Sequence, residues 1–305
     1  MSITLFGEHV VVYDRPAIAV PVHEVIATAD VTDTTQASQG EIHIEAPEIK
    51  LDIWLHELSS DHPLARIINL TLDEIDPGTF PSLHLQITST IPISSGLGSG
   101  TAVSIAVVRA LSTHLGQPLP LHHQSALAFE VEKIHHGTPS GIDNTVVTYD
   151  QPIYFVQGKE PEILHCETPF NLVIGDTGRT SPTAFAVSQV RLAWQENTPQ
   201  YEAAFEAIGQ IASQARKCIM EGRVQELGPL MNQNQTLLED IGVSSPELRI
   251  LIDAARASGA SGAKLSGGGL GGNMIAMVDP DAAGLVEIAL REAGAVRTLT
   301  TEVST

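Results

Sequence analysis

The stretch ISSGLGSGTAVSIAVVRAL, from Ile93 to Leu111, constrains this chain more than any other. It begins as a segment too rich in Gly and Ser to pack and ends as one too apolar to stand in water. Gly96, Gly98 and Gly100 permit positive φ and close backbone approach, so successive N–H groups can turn toward one point. A helical period runs from Gly100 through about Leu115 and adds its positive dipole end. Together they form an anion site suited to phosphate; the plain alternative is a turn that lets a strand meet a buried helix. The spacing does not match GxxxxGKS/T, so this is not a Walker loop, and it fits the dinucleotide fingerprint poorly.

Charge narrows the partners. The 305 residues hold 36 acidic against 16 basic side chains, a formal charge of -20, which repels nucleic acid and anionic membrane. Any phosphate must therefore be held by local dipoles or a metal rather than a basic patch. Apolar runs such as TAVSIAVVRAL are shorter than a bilayer span, and MSITLFGEH has no basic segment leading a long apolar one, so the expectation is a cytoplasmic protein. Cys166 and Cys218 lie far apart without a CxxC pair, which predicts buried or incidental thiols.

The first 90 residues read as strand-rich, with ITLFGEHVVVY, AIAVPV, EIHIEA and LHLQITST separated by turn-forming clusters. A second helical stretch runs from Leu121 to a cap at Gly137, after which TPSGIDNTVVTYDQPIYFV returns to loop and strand. Beyond PFNLVIGDTGRT the chain is mostly helical. A boundary near Phe170 follows, giving two α+β domains, residues 1–169 and 170–305, with a ligand expected between them.

Two further loops carry chemistry. KLSGGGLGGNMIAMV, from Lys264 to Val278, places five glycines within 267–272, more freedom than a plain turn requires and suited to folding against a ligand. HGTPSGIDN, from His136 to Asn144, sets Asp143 after a Pro and a Gly, where a carboxylate can act on an alcohol as base or orienter. Taken without the two glycine loops, Asp143 reads as a turn-forming or capping residue. Glu132 upstream offers a second carboxylate to a hard cation such as magnesium. The pairs His122–His123 and His135–His136 do not suggest a metal cluster, because adjacent side chains on a helix point apart.

In this order the loops resemble the motifs of the GHMP small-molecule kinases, and their detail is most similar to the mevalonate kinase branch. LFGEHVVVYDRPAIAVPV resembles the family's first strand and GEH loop, PISSGLGSGTA its phosphate loop, EKIHHGTPSGIDN its magnesium and catalytic segment, and AKLSGGGLGGNM its third motif. The resemblance spans nearly the whole chain. It implies a ribosomal-protein-S5-like N-terminal domain and a ferredoxin-like C-terminal domain, ATP as donor, mevalonate as acceptor, a Mg²⁺ ion and a homodimer. Asp143 is implied as the catalytic carboxylate and Glu132, with Ser99, as metal ligands. Pro92, Ser95, Gly96, Leu97, Gly98, Ser99, Gly100 and Thr101 are implied around the ATP phosphates. Glu8, His9, Thr183, Gly268 and Gly269 are implied at the substrate.

Two positions depart from the family pattern. Ser2 stands where the family has a lysine supporting the catalytic Asp, and transition-state charge stabilisation of that kind is worth about 10² to 10³ in rate. Arg179 or the magnesium ion is the compensating charge the sequence offers. Gly100 stands where the family has a metal-binding serine, leaving Thr101 or Ser99 to supply a hydroxyl. The competing readings are a related kinase with another acceptor (the mevalonate 3-hydroxyl, phosphomevalonate or a sugar) and a ligand-binding homologue with weakened catalysis.

Overall fold

The computed structural model describes residues 1–35, 38–92, 98–136, 139–180 and 182–304. The chain runs β1 (Ser2–Phe6), β2 (Ala17–Pro21), β3 (Ala27–Asp33), β4 (Ile42–Ala46), β5 (Leu51–Trp54), α1 (Pro63–Ile75), β6 (Leu83–Ser89), α2 (Ser99–His114), α3 (Leu121–His136) and α4 (Ile142–Tyr149). It continues through β7 (Ile153–Phe155), β8 (Glu162–Ile163), β9 (Phe170–Asp176), α5 (Thr183–Glu196), α6 (Thr198–Met220), α7 (Leu227–Asp240) and α8 (Pro246–Ala257). β10 (Gly262–Ser266), β11 (Asn273–Val278), α9 (Ala283–Glu292) and β12 (Arg297–Val303) complete it. Two compact units share these elements, one built from Val25–Ile93 and Gly98–Tyr149, the other from Ser2–Glu24 and Asp150–Thr305.

In the first unit a sheet of order β3-β6-β4-β5 presents Ile42, Ile44, Leu83 and Leu85 to Ile67 and Ile68 of α1, Val107, Val108 and Leu111 of α2, and Val131 of α3. The strands alternate because one face meets the helices and the other meets water. Within the opening that reads as strand-rich, the structure adds α1. Pro63 starts it, the His62 ring accepts the Leu64 N–H, and Leu64, Ile67, Ile68, Thr71 and Ile75 form one buried stripe.

The sequence reading of 142–149 as loop and strand is corrected: this segment is α4. The Thr and Val residues favour a strand locally, but here Ile142, Thr145 and Val146 are buried, Ser140 Oγ accepts the Ile142 N–H, and Thr145 Oγ1 bonds back to the Gly141 carbonyl. Tertiary packing outweighs the β-branched propensity.

The second unit holds two sheets, β1-β2-β7-β8 and β10-β11-β9-β12. The latter is antiparallel throughout, and its strands, taken in chain order from β9, lie in spatial order second, third, first, fourth. With α9 between β11 and β12, and α5 to α8 between β9 and β10, this is the ferredoxin-like arrangement the resemblance implied. Ala263, Leu265, Met274 and Ala276 pack there with Leu248, Leu251 and Ile252 of α8 and Val286 and Leu290 of α9. Cys166 and Cys218 are both buried.

Candidate active site

In the first unit, three helices assemble one polar group. Gly98, at φ 69°, turns the chain into α2, whose first residues are Ser99, Gly100 and Thr101. Gly100 is exposed, and among the described residues a Cβ there would meet nothing within 4 Å. Thr101 is buried, and its hydroxyl donates to the carboxylate of Glu132 on α3. Burial raises the Glu132 pKa first, the charge of nearby Asp143 raises it further, and the Thr101 hydrogen bond opposes them. Asp143 lies in the first turn of α4, where the helix dipole favours a carboxylate.

The supports of this group were not foreseen from the sequence. Asn144, 4% exposed, donates to the carbonyl oxygen of Ser125 at 3.1 Å and to its Oγ at 2.8 Å, locking α4 to α3. Arg109 of α2 donates to the Thr148 carbonyl at 2.6 Å and to Gln124 Oε1 at 3.0 Å, so one guanidinium ties all three helices. Only the neighbouring Asp143 in GIDN hinted at Asn144, and nothing local pointed to Arg109.

A carboxylate whose ionisation is opposed by burial and by the neighbouring Asp143, with a hydroxyl already on it, fits a hard cation that brings its remaining oxygen ligands from phosphate and water. Among the described residues no three His, Cys, Asp or Glu side chains converge as a self-sufficient metal cage. Pro92 is partly exposed, while Ser95, Gly96 and Leu97 of the phosphate loop and the Gly137 cap lie outside the described residues.

The second unit gathers the residues implied at the substrate. Gly7, at φ 88°, turns the chain after β1, and a Cβ there would lie 2.4 Å from the Pro16 carbonyl oxygen, so only glycine fits. His9 follows at φ 64° and is 6% exposed. Its Nε2 lies 2.9 Å from the Gly268 carbonyl oxygen. A carbonyl only accepts, so Nε2 carries the hydrogen and Nδ1 is a bare acceptor, buried and without a partner among the described residues. Burial holds the ring neutral, its pKa lowered to about 4.

Gly268 sits against Thr183, the first residue of α5, with the position of a Cβ only 3.2 Å from Thr183 Cα. Gly269, at φ 69°, presses on Val243, whose carbonyl oxygen would lie 2.2 Å from a Cβ. The far end of the loop is fastened too: the Thr177 N–H and hydroxyl each donate to the Gly272 carbonyl at 2.9 Å, and the Gly272 N–H donates to the Arg179 carbonyl at 2.8 Å. His9, Thr183, Gly268 and Gly269 are thus one cluster. Glu8 is 2% exposed, with Lys264 on one carboxylate oxygen and Asn234 on the other at 3.3 Å. Ser2 is buried in β1, and Arg179 is exposed, 3.3 Å from Glu247.

Comparison with known proteins agrees along the chain. The family model of the GHMP kinases N terminal domain matches residues 63–151, and that of the GHMP kinases C terminal region matches 215–296. A mevalonate kinase of Pyrococcus horikoshii is 35% identical, covering 98% of this chain and 92% of its own. One from Saccharolobus solfataricus is 31% identical over 92% of this chain and 89% of its own. The crystal structure of L. major mevalonate kinase in complex with R-mevalonate superimposes with a TM-score of 0.84 at 28% identity, covering 99% of this chain and 94% of that one.

Proposed function

The chain belongs to the mevalonate kinase family of the GHMP kinases, and from that premise we propose how its residues carry the γ-phosphoryl group of ATP to the 5-hydroxyl of mevalonate. It is a phosphotransferase with an alcohol acceptor, forming 5-phosphomevalonate for isoprenoid synthesis. The observation that carries this reading is the Thr101, Glu132 and Asp143 group, set at the start of α2 and α4 in a chain that matches mevalonate kinases over nearly its full length.

In the transfer, the acceptor oxygen bonds to the γ-phosphorus, the bond from phosphorus to the β–γ bridging oxygen breaks, and ADP leaves with that electron pair. Asp143 orients the acceptor hydroxyl and takes its proton. Backbone N–H groups from Gly96 to Thr101 and the α2 dipole hold the phosphates, with Pro92 and Ser95 flanking them. Glu132, with the Thr101 or Ser99 hydroxyl, would hold Mg²⁺, which when bound supplies positive charge to the phosphate oxygens. Glu8, His9, Thr183, Gly268 and Gly269 form the mevalonate side. A buried neutral His9 with a bare Nδ1 suits a hydrogen-bond donor on the substrate.

The two family models fall on either side of Phe170, which supports the division into residues 1–169 and 170–305 along the sequence, while Ser2–Glu24 and residues 150–169 belong to the second compact unit. Among the described residues no helix is long and apolar enough to cross a membrane. A cytoplasmic homodimer completes the proposal; sedimentation of the purified protein tests the dimer. An ADP-release assay with mevalonate, phosphomevalonate and galactose, with and without Mg²⁺, tests the function. Turnover confined to mevalonate and dependent on Mg²⁺ is expected. Turnover with another acceptor moves the assignment to a related kinase, and ATP binding without turnover moves it to a binding protein.

A further inference from the structure

Lys264 opens the third glycine motif, yet it is wholly buried and touches no solvent. Its ammonium donates to the carboxylate of Glu8 and, at 2.6 Å, to the Leu265 carbonyl. Asn234, also 0% exposed, grips the other Glu8 oxygen from α7. The next residue on α7, Gln235, accepts the Leu265 N–H at 2.9 Å, so α7 braces β10 beside the same pair.

A buried ion pair is a poor way to make a fold stable, because desolvation offsets the attraction and packed apolar residues do as well. Its location suggests another use. Glu8 directly precedes His9, and β10, which carries Lys264, leads directly into the loop that carries Gly268. Three links run between the first turn and this strand and loop: Ser266 Oγ to the Thr4 carbonyl at 2.7 Å, Lys264 to Glu8, and His9 to the Gly268 carbonyl at 2.9 Å. The turn has positive φ at both Gly7 and His9, and at the non-glycine His9, with ψ -43°, such a backbone persists only when its surroundings over-determine it.

We propose that Lys264 is a positioning residue for the acceptor: through Glu8 it fixes the backbone that presents His9 and the Gly268 carbonyl, without touching the substrate itself. The part of Glu8 in substrate binding is then exerted through His9. This inference rests on the mevalonate kinase reading of the same site.

The test is the double variant Lys264→Met with Glu8→Gln, which removes both buried charges together. It is expected to unfold cooperatively near the wild-type temperature, to raise KM for mevalonate by about tenfold or more, and to leave KM for ATP within about twofold, the pattern of lost acceptor binding. A wild-type KM for mevalonate in the folded double variant, or an equal rise in both KM values, overturns the positioning role. If the double variant does not fold, Asn234→Ala removes only one grip on Glu8. A selective rise of about threefold in the mevalonate KM then supports the role, and an unchanged value overturns it. Wild-type protein without turnover on mevalonate would instead refute the reading beneath the proposal.

Discussion

The hydroxyl of Thr101, on the first turn of α2, donates to the carboxylate of Glu132 near the end of α3. This bond joins the start of α2, proposed to cradle the phosphates, to the proposed metal carboxylate, and it places a hydroxyl on that carboxylate one residue after Gly100, which replaces the family serine. Thr101→Val keeps the shape and removes the donor. The buried carboxylate then loses a hydrogen bond worth about 1.5–3 kcal/mol. A Mg²⁺ titration of initial rates is expected to show half-saturation raised by about tenfold, and thermal unfolding is expected at a lower temperature.

In the proposed reaction Asp143 acts on the acceptor hydroxyl and Glu132 on the cation, so their variants separate. Asp143→Asn keeps the size and the helix-start position but cannot take a proton. A fall in kcat of about 10² to 10⁴ is expected, with KM for ATP nearly unchanged. Activity equal to wild type would remove Asp143 from the catalytic role.

His9 links stability to pH. Its pKa is lowered from 6.5 to about 4 by burial, so between these values the unfolded chain binds a proton that the folded chain refuses. Its contribution is therefore fully present above pH 6.5 and is lost as the pH falls toward 4. The full effect is on the order of 3 kcal/mol. His9→Gln, which does not titrate, is expected to flatten the dependence of unfolding temperature on pH across this window, measured by circular dichroism at matched ionic strength.

Among the described residues nothing lies within 4 Å of where a Gly100 side chain would project. Gly100→Ser is expected to fit without a clash and to stabilise the start of α2 by about 0.5–1 kcal/mol through reduced unfolded-state freedom. It also returns the family hydroxyl, so a lower Mg²⁺ requirement is expected in the same titration. A destabilised variant would show that the first turn of α2 needs glycine for a reason other than space.

The glycine-rich loops were readable from the sequence because glycine in such density has few structural uses, and the apolar runs behind them set α2 and β11. α4 was hidden because Thr145, Val146 and Val147 favour a strand locally, and only burial against the rest of its unit reverses that preference. α1 carries its own helical spacing in Leu64, Ile67, Ile68, Thr71 and Ile75, which the β-branched runs on either side of it overshadow. The Lys264–Glu8 pair spans 256 positions of sequence and leaves no local pattern. Arg109, which ties three helices, is one cation in an apolar run, and its partners Gln124 and Thr148 lie 15 and 39 positions away with no local pattern to mark them.

The most direct test of the central claim is the proton-coupled ³¹P NMR spectrum of the product formed from ATP and mevalonate. Transfer to the 5-hydroxyl predicts a phosphomonoester triplet, split by the two protons on carbon 5, growing in step with ADP and absent with Asp143→Asn. A phosphomonoester without that splitting would place the phosphate on the tertiary 3-hydroxyl. Either that result or the absence of any new phosphomonoester would contradict the account.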